Sequence, residues 1–370
     1  MRRSPELVEP PSLAVGAISR TLKAIARDYP EAWLLNFLDL VDKATMADPS
    51  EELVYVLHAA LASAPAEDRD AAAGEVRDFE RQLRSELRGG TAAARAARSG
   101  PEVLVLTPKM VERKACVAVF DCEDTKPAMF DSHIRYRRFE LERAPGTTVT
   151  LVCMEDAGNP LATNVVRDYV GAFGRPDLAV LCGMAMGTTN DVSPGDVVLG
   201  RVVFDLGPRR VTVDKTKTRF EPYRVRGPLL ADLREHRDAG AGATAATLWA
   251  ALPRLRQSHV EFPDDLDEEQ WAPKVHPGVI LAGDELVEDE SGPDRATIHD
   301  RAYALEMEGG GFAAACDHLG CDWVVVRGVA DRGEPERNKA WQAIATAAAA
   351  SFVAAFLAES WRPAKPASSG

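Results

Sequence analysis

Three carboxylates stand close to short apolar or glycine-rich segments of this sequence, at Glu112, Glu308 and Asp331. Glu112 follows the apolar segment Val103–Leu106, and Asp331 comes just after the apolar segment Trp323–Val329. A carboxylate in such a position can serve as a general acid or base. It can equally cap a helix or stabilise a helix dipole, so none of the three establishes an active site by itself.

A glycine-bracketed turn gives a fourth feature of interest. The apolar segment Leu178–Cys182 runs into Gly183, Met184, Ala185, Met186 and Gly187. Glycines in such a turn usually serve the backbone, and they also let a ligand approach it closely. Both interpretations stay open for this turn.

Alternating short β-branched runs and helical patterns predict the elements that would position these residues. Strands are predicted at Val103–Leu106, Cys116–Phe120, Thr148–Cys153, Leu178–Cys182, Val197–Phe204 and Trp323–Val329. Helices are predicted at Leu161–Phe173, Leu229–Arg237, Met307–Leu319 and Lys339–Trp361. This alternation predicts an α/β domain with a central, mostly parallel sheet covered on both faces. Such sheets bind ligands at the carboxyl ends of their strands.

The first ninety residues have a different pattern. Four segments with helical spacing of apolar residues predict a small all-α bundle over residues 1–90. An Ala/Arg-rich linker over residues 91–101 separates it from the predicted α/β domain of residues 102–362, and the tail 363–370 is expected to be disordered. Two further segments, Lys215–Tyr223 and Glu261–Glu269, are predicted to be loops, the first of them long and mobile.

The order of the motifs resembles that of the nucleoside phosphorylase/nucleosidase superfamily over about 260 residues, from Val103 to Trp361. The matching pieces are Val103–Glu112, Gly183–Gly187, Val192–Val198, Leu305–Glu308 and Val326–Asp331. The version with Met307-Glu308-Gly309 is most similar to purine nucleosidase-like modules of bacterial defence proteins, and it also resembles methylthioadenosine/S-adenosylhomocysteine nucleosidase. The resemblance implies a three-layer nucleoside phosphorylase-like fold and cleavage of a purine N-glycosidic bond.

The resemblance also implies a role for each site residue. Asp331 would be the acid at the departing purine, and Glu308 would accept hydrogen bonds from the ribose hydroxyls. Met307 would pack against the sugar, and Glu112 would aim the attacking water. The turn residues Gly183, Met184 and Ala185 would line the substrate pocket. An acid that must hold its proton near neutral pH needs a raised pKa.

Three positions depart from the family pattern. Ala330 stands where a serine is common, Met186 occupies a position that is often glycine, and Thr107-Pro108-Lys109 replaces the segment that helps phosphorylases to hold phosphate. The last difference favours hydrolysis by water. Arg113 and Arg167 leave a phosphate-dependent reaction open as an alternative.

Three basic residues bear on the substrate. Lys215, Lys217 and Arg219 lie where the family covers its ribose pocket. They either bind phosphate, which would make the substrate a nucleotide such as ATP, or form a solvated surface. A non-catalytic nucleotide-sensing adaptor is the alternative from another class of protein. The retention of Glu112, Glu308 and Asp331 together favours an enzyme.

Composition limits the partners and the compartment. The formal net charge of −13 argues against nonspecific nucleic-acid binding. The longest apolar run, within Ala343–Ala358, predicts a packed helix rather than a membrane span, and the polar segment Ser4–Pro11 predicts a cytoplasmic protein. The six cysteines are expected to be reduced, buried thiols, and neither a metal nor another cofactor is expected. The resemblance implies a homo-oligomer, and residues 1–90 are expected to bind a protein partner.

Overall fold

The computed structural model of the chain describes residues 100–130, 132, 134–207, 209–211, 216–218, 220–239, 241–263, 266, 271–283, 299–333 and 339–363. The chain divides into residues 1–93 and 94–370, and everything below concerns the second of these units. The predicted helical bundle of residues 1–90, most of the linker and the tail after Pro363 lie outside the described residues.

Twelve strands and six helices make up the described part of the chain. The strands are β1 Glu102–Thr107, β2 Ala128–Met129, β3 Arg135–Glu140, β4 Thr148–Cys153, β5 Leu178–Gly187, β6 Val197–Asp205, β7 Arg209–Val211, β8 Thr216–Thr218, β9 Glu221–Arg224, β10 Val275–Ala282, β11 Ala302–Glu306 and β12 Trp323–Asp331. The helices are α1 Met110–Phe120, α2 Asn159–Phe173, α3 Gly227–Ala239, α4 Ala241–Gln257, α5 Gly309–Leu319 and α6 Ala340–Glu359.

Ten strands form one sheet, in the order β11-β10-β6-β12-β5-β1-β4-β3-β2, with β9 paired to β6. Because β5 also pairs with β11, the five strands β5, β12, β6, β10 and β11 close on themselves. The α/β class is confirmed, but the expectation of a mostly parallel sheet was wrong. The described pairings in this sheet are five parallel and five antiparallel. Closure accounts for two of the antiparallel pairings, β6 with β12 and β11 with β5. The other three join β2 to β3, β3 to β4 and β9 to β6.

Helices pack on the sheet in two groups. Helix α6 packs on β12 and β5 and also contacts α1 and α4, whereas α5 packs on β6 and β10 and contacts α2. Helix α6 is long and apolar enough to cross a membrane, yet it lies largely buried in the core of this unit. The prediction of a packed helix is therefore confirmed. Its alanines permit close packing, because a Cβ atom at Gly328 of β12 would overlap the carbonyl of Ala345.

Several predicted boundaries hold and others fail. Strand β4 has the predicted bounds Thr148–Cys153, and all six cysteines are free and buried as expected. Residues Cys116–Phe120, predicted as a strand, belong to helix α1. Helices α4 and α6 cover α1, so its last residues are buried on most sides and form the continuous apolar run that resembles a strand. The segment Lys215–Tyr223, predicted as a mobile loop, contains β8 and the first part of β9.

Candidate active site

A cleft opens where the carboxyl ends of β1, β11 and β12 meet the last residues of β5. Its walls are Pro108, Lys109, Glu112, Ala157, Met184, Ala185, Met186, Leu305, Glu306, Met307, Glu308, Ala330, Asp331 and Gln342. The space not occupied by protein atoms is about 680 Å³, part of it open to solvent.

Arg327 of β12 lies directly behind this cleft and is fully buried. Its Nη2 atom donates to Oε2 of Glu308 over 2.6 Å and to Oε2 of Glu306, and its Nη1 atom lies 3.7 Å from Oε1 of Glu112. One guanidinium group therefore faces three buried carboxyl groups. A buried charge must be paired to be tolerated, so this cluster fixes the side chains of β11 and α1 relative to β12.

Glu112, in the first turn of α1, is held by backbone donors from two elements. Its Oε2 atom accepts the Lys109 N–H over 2.6 Å, and its Oε1 atom accepts the Met184 N–H over 2.8 Å. Burial raises the pKa of the Glu112 carboxyl, although Arg327 and the two backbone donors oppose this rise. The result is a fixed, buried carboxyl group at the floor of the cleft, with a greater proton affinity than an exposed glutamate has.

Glu306 positions the turn that carries Met307 and Glu308. Its carboxylate accepts the N–H of Glu308 over 3.2 Å and the N–H of Gly309 over 2.9 Å, in addition to its bond from Arg327. Burial raises the pKa of Glu308 to about 8, and the nearby Glu306 and Glu112 add to this rise while Arg327 opposes it. Glu308 is therefore poised to gain or lose a proton close to neutral pH.

Gly183 of β5 makes the cluster sterically feasible. A Cβ atom at this position would overlap the Glu112 carboxylate and the Arg327 guanidinium. Gly183 does not line the cleft, whereas the next residues, Met184 and Ala185, do. The glycine expected to touch substrate thus leaves room for two charged side chains behind the cleft.

Asp331 does not belong to the group formed by Arg327 and its three glutamates. It lies on the wall of the cleft formed by the end of β12. It pairs in register with Met186 of β5, is half-buried, and accepts the Gly333 N–H over 3.0 Å. Two of the three departures from the family pattern, Met186 and Ala330, line the cleft beside it. Asp331 therefore presents a half-buried side chain to the cleft that Glu112 and Glu308 also line.

The structure brings together most of the residues singled out in the sequence. Glu112, Glu308, Asp331, Met307, Met184 and Ala185 line one cleft. Lys215 and Arg219 lie outside the described residues, and Lys217 belongs to β8, which pairs with β7. Among the residues that the structure describes, no group of three or more His, Cys, Asp or Glu side chains is arranged to hold a metal ion.

Sequence reasoning missed Arg327 and Glu306 as site residues. A signal for Arg327 was present, because an arginine directly follows Val324-Val325-Val326 in a buried strand. A charged residue in such a run requires buried partners of opposite charge, and the nearby Glu306-Met307-Glu308 segment supplies two of them.

Comparison with known proteins establishes the family of the chain. Residues 118–358, well over half of the chain, match the model of the phosphorylase superfamily. The chain belongs to this superfamily. It is also 26% identical over 268 residues to the protein named ATP nucleosidase Cap17 of Escherichia coli (strain KTE188), a match that covers 70% of this chain and 52% of that protein. The chain thus spans about half the length of the curated relatives that it matches.

Solved structures of nucleosidases share the fold. Futalosine hydrolase of Helicobacter pylori strain 26695 superposes with a TM-score of 0.52 at 16% identity, covering 70% of this chain and 98% of that one. The 5′-methylthioadenosine/S-adenosylhomocysteine nucleosidase of Helicobacter pylori gives a TM-score of 0.54 at 14% identity, covering 71% of this chain and 100% of that one. The predicted nucleoside phosphorylase-like fold is confirmed for the described unit.

Proposed function

We propose that this protein hydrolyses the N-glycosidic bond of a purine nucleoside or nucleotide and releases the free base. The observation that carries the proposal is the convergence of Glu112, Glu308 and Asp331 on one cleft, with Arg327 behind the two glutamates. The similarity to a protein named as an ATP nucleosidase supports it.

In the proposed reaction, the bond between the anomeric carbon and the purine nitrogen breaks as water attacks that carbon. The electron pair of the broken bond goes to the purine, which takes a proton at N7 from Asp331. Glu112 orients the water and accepts its proton, a role that suits a buried carboxyl group with a raised pKa. Glu308 accepts hydrogen bonds from the ribose hydroxyls, and Met307 packs against the sugar.

The charge balance behind the cleft favours water over phosphate as the nucleophile. Glu112, Glu306 and Glu308 face one guanidinium group. A phosphate dianion placed beside Glu112 would be repelled by the ionised form of Glu112 that its role as a base requires, in a site of low dielectric where like charges repel strongly. A neutral water molecule meets no such barrier.

The substrate we favour is a nucleotide such as ATP, because a relative carries the name ATP nucleosidase. The basic residues Lys215, Lys217 and Arg219 are candidates for phosphate binding on grounds of sequence alone. A role in bacterial defence, a homo-oligomer, cytoplasmic localisation and a protein partner for residues 1–90 remain predictions.

The test is incubation of the full chain with a panel of purine nucleosides and nucleotides, with and without phosphate, followed by chromatography of the free base. We expect base release that does not depend on phosphate, that Asp331→Asn abolishes, and that is slower with 2′,3′-dideoxy substrates. Release that requires phosphate would identify a phosphorylase. Binding without any release would instead favour a nucleotide-sensing adaptor.

A further inference from the structure

A second, smaller cleft lies at the same edge of the sheet and is rich in arginine. It is lined by Arg113, Pro127, Arg135, Tyr136, Arg137, Leu151, Cys153 and Glu155, and we call it the arginine cleft. Arg113 comes from the start of α1 and the other two arginines from β3. Thr107 at the end of β1 pairs in register with Cys153 at the end of β4, so both clefts lie at the carboxyl ends of these neighbouring strands.

The positive charge in the arginine cleft is poorly neutralised. The Arg113 guanidinium makes a contact of 3.8 Å to the Met110 sulfur, and Arg137 donates to backbone carbonyls, including that of Glu123 over 2.7 Å. Neither kind of partner cancels charge. Within the described part of the chain, Arg113 and Arg135 form no ion pair. Glu155 is the one carboxylate in the lining, and it is exposed.

The arginine cleft differs in charge from the protein as a whole. The formal net charge of the protein is −13, so three arginines around one cleft do not reflect the average composition. Arginine guanidinium groups are suited to phosphate because they offer a planar pair of N–H donors. The chemistry of the cleft is therefore that of an anion site.

The two clefts are adjacent at two points. Glu112 of the active-site cleft and Arg113 of the arginine cleft are consecutive residues. The Cys153 sulfur of the arginine cleft lies 3.9 Å from the carbonyl of Pro108, which lines the active-site cleft. Lys109 is exposed and lines the active-site cleft, and it lies between Pro108 and Arg113 in the sequence. A chain of phosphates leaving the ribose would be repelled by Glu306 and attracted towards Lys109 and Arg113.

We propose that the arginine cleft binds the 5′-phosphates of a nucleoside polyphosphate substrate, through Arg113 and Arg135, with Lys109 on the path from the ribose. This inference rests on the proposed hydrolysis of a purine nucleotide, and it makes a nucleoside polyphosphate the preferred substrate over the free nucleoside. Arg137 acts as a positioning residue, because its Nη1 donors hold the turn after α1.

The experiment compares kcat/KM for ATP with kcat/KM for adenosine in the full chain. The variants are Arg113→Gln and Arg135→Gln, alone and together, with Arg234→Gln as the matched control. Arg234 is an exposed residue of α3. Helix α3 lies near the end of α6, because its His236 contacts Ser360 just beyond that end. The active-site cleft lies at the other end of α6, where Gln342 lines it. The control therefore removes the same charge far from both clefts.

Loss of one charge-assisted hydrogen bond should lower the ratio of ATP to adenosine turnover by about tenfold. The double variant should lower it further, and Arg234→Gln should leave it unchanged. Unchanged ratios in the arginine-cleft variants, or a wild type that prefers adenosine, would overturn the inference while the proposed hydrolysis stands.

A binding measurement keeps the two proposals separable. Titration calorimetry with inorganic tripolyphosphate needs no catalysis, so it tests the cleft even when no substrate of the panel is cleaved. Weaker binding to the double variant than to wild type and Arg234→Gln supports the site. Equal binding to all three proteins rejects it.

Discussion

The Nη2 atom of Arg327 lies 2.6 Å from Oε2 of Glu308, and both side chains are buried. Arg327 comes from β12 and Glu308 from the turn between β11 and α5, so this ion pair joins two strands that are not neighbours in the sheet. Strand β5 lies between them and contributes Gly183, the residue that leaves space for Arg327 and for Glu112. The pair therefore ties the turn that carries Glu308 to β12.

Replacing Arg327 by methionine should strongly destabilise the catalytic unit. The variant would leave Glu112, Glu306 and Glu308 buried without their cation, which typically costs about 3–5 kcal/mol. Urea unfolding followed by tryptophan fluorescence would measure this loss. The control is Arg226→Met, which breaks the exposed ion pair with Asp322 and should cost less than about 1 kcal/mol. Equal losses in the two variants would contradict the structural role of the cluster.

The raised pKa of Glu308 predicts how stability depends on pH. Because the pKa in the folded protein is about 8, against an ordinary value of 4.5, the native state binds more protons than the unfolded state between these values. Stability should then fall as pH rises from about 4.5 to about 8. Glu308→Gln removes this titration. The unfolding free energy of the variant minus that of wild type should therefore increase as pH rises through that window.

The matched control for this pH series is Glu142→Gln, because Glu142 is exposed. Its unfolding free energy should run parallel to that of wild type at every pH. A constant difference between Glu308→Gln and wild type would mean that Glu308 is ionised throughout and that burial does not govern its charge.

The sequence predicted the buried strands β1, β4, β5, β6 and β12, but it missed β10 and β11, which are also largely buried. Strand β4 pairs with β1 and β3 and is buried over most of its length, so its β-branched and apolar residues give a clear strand pattern. Strand β3 was missed, because Arg135-Tyr136-Arg137-Arg138 carries charges on both faces. Arg137 donates to backbone carbonyls and Arg138 pairs with Glu102, and these partners become visible only once the strand register is known.

The sequence predicted only part of the candidate site. Glu112, Glu308 and Asp331 were found because each belongs to a short motif, and the structure brings them to one cleft. The link between Arg327 and Glu112 depends on the packing of β12, β5 and α1, which no local pattern encodes. Closure of the sheet through β5 and β11 was missed for the same reason.

Gly183→Ala should reduce base release at least about tenfold by displacing charged groups behind the cleft. The added methyl group would overlap the carboxylate of Glu112 and the guanidinium of Arg327. Neither side chain can move freely, because each is held by several hydrogen bonds. Overpacking of this kind typically costs about 1–3 kcal/mol.

Gly171→Ala in α2 provides the control for that substitution, since no atom lies within 4 Å of the added Cβ. It should be neutral or stabilise by up to about 1 kcal/mol. If Gly183→Ala kept full activity in the chromatographic assay, the arrangement of Glu112 and Arg327 would not be required for turnover.

Glu112→Gln should slow hydrolysis by about 10²–10⁴-fold, the usual contribution of a general base. The amide also cannot accept both the Lys109 and the Met184 N–H groups, because its nitrogen is a donor. Base release would be measured with and without phosphate. Retained activity, or activity restored by phosphate, would show that the attacking group is activated elsewhere.

Removal of residues 1–98 should leave a folded unit that retains its basal base-releasing activity. The active-site cleft, and Arg327 with its three glutamates behind it, are built from residues beyond Pro101. The core of the unit starts at Val103. A protein that begins at Ser99 should therefore be soluble and active, but it should lose any recruitment or regulation by a partner. Solubility, oligomer size and turnover would be compared with those of the full chain. An insoluble or inactive protein would show instead that the N-terminal residues complete the catalytic unit, and an adaptor role for them would have to be abandoned.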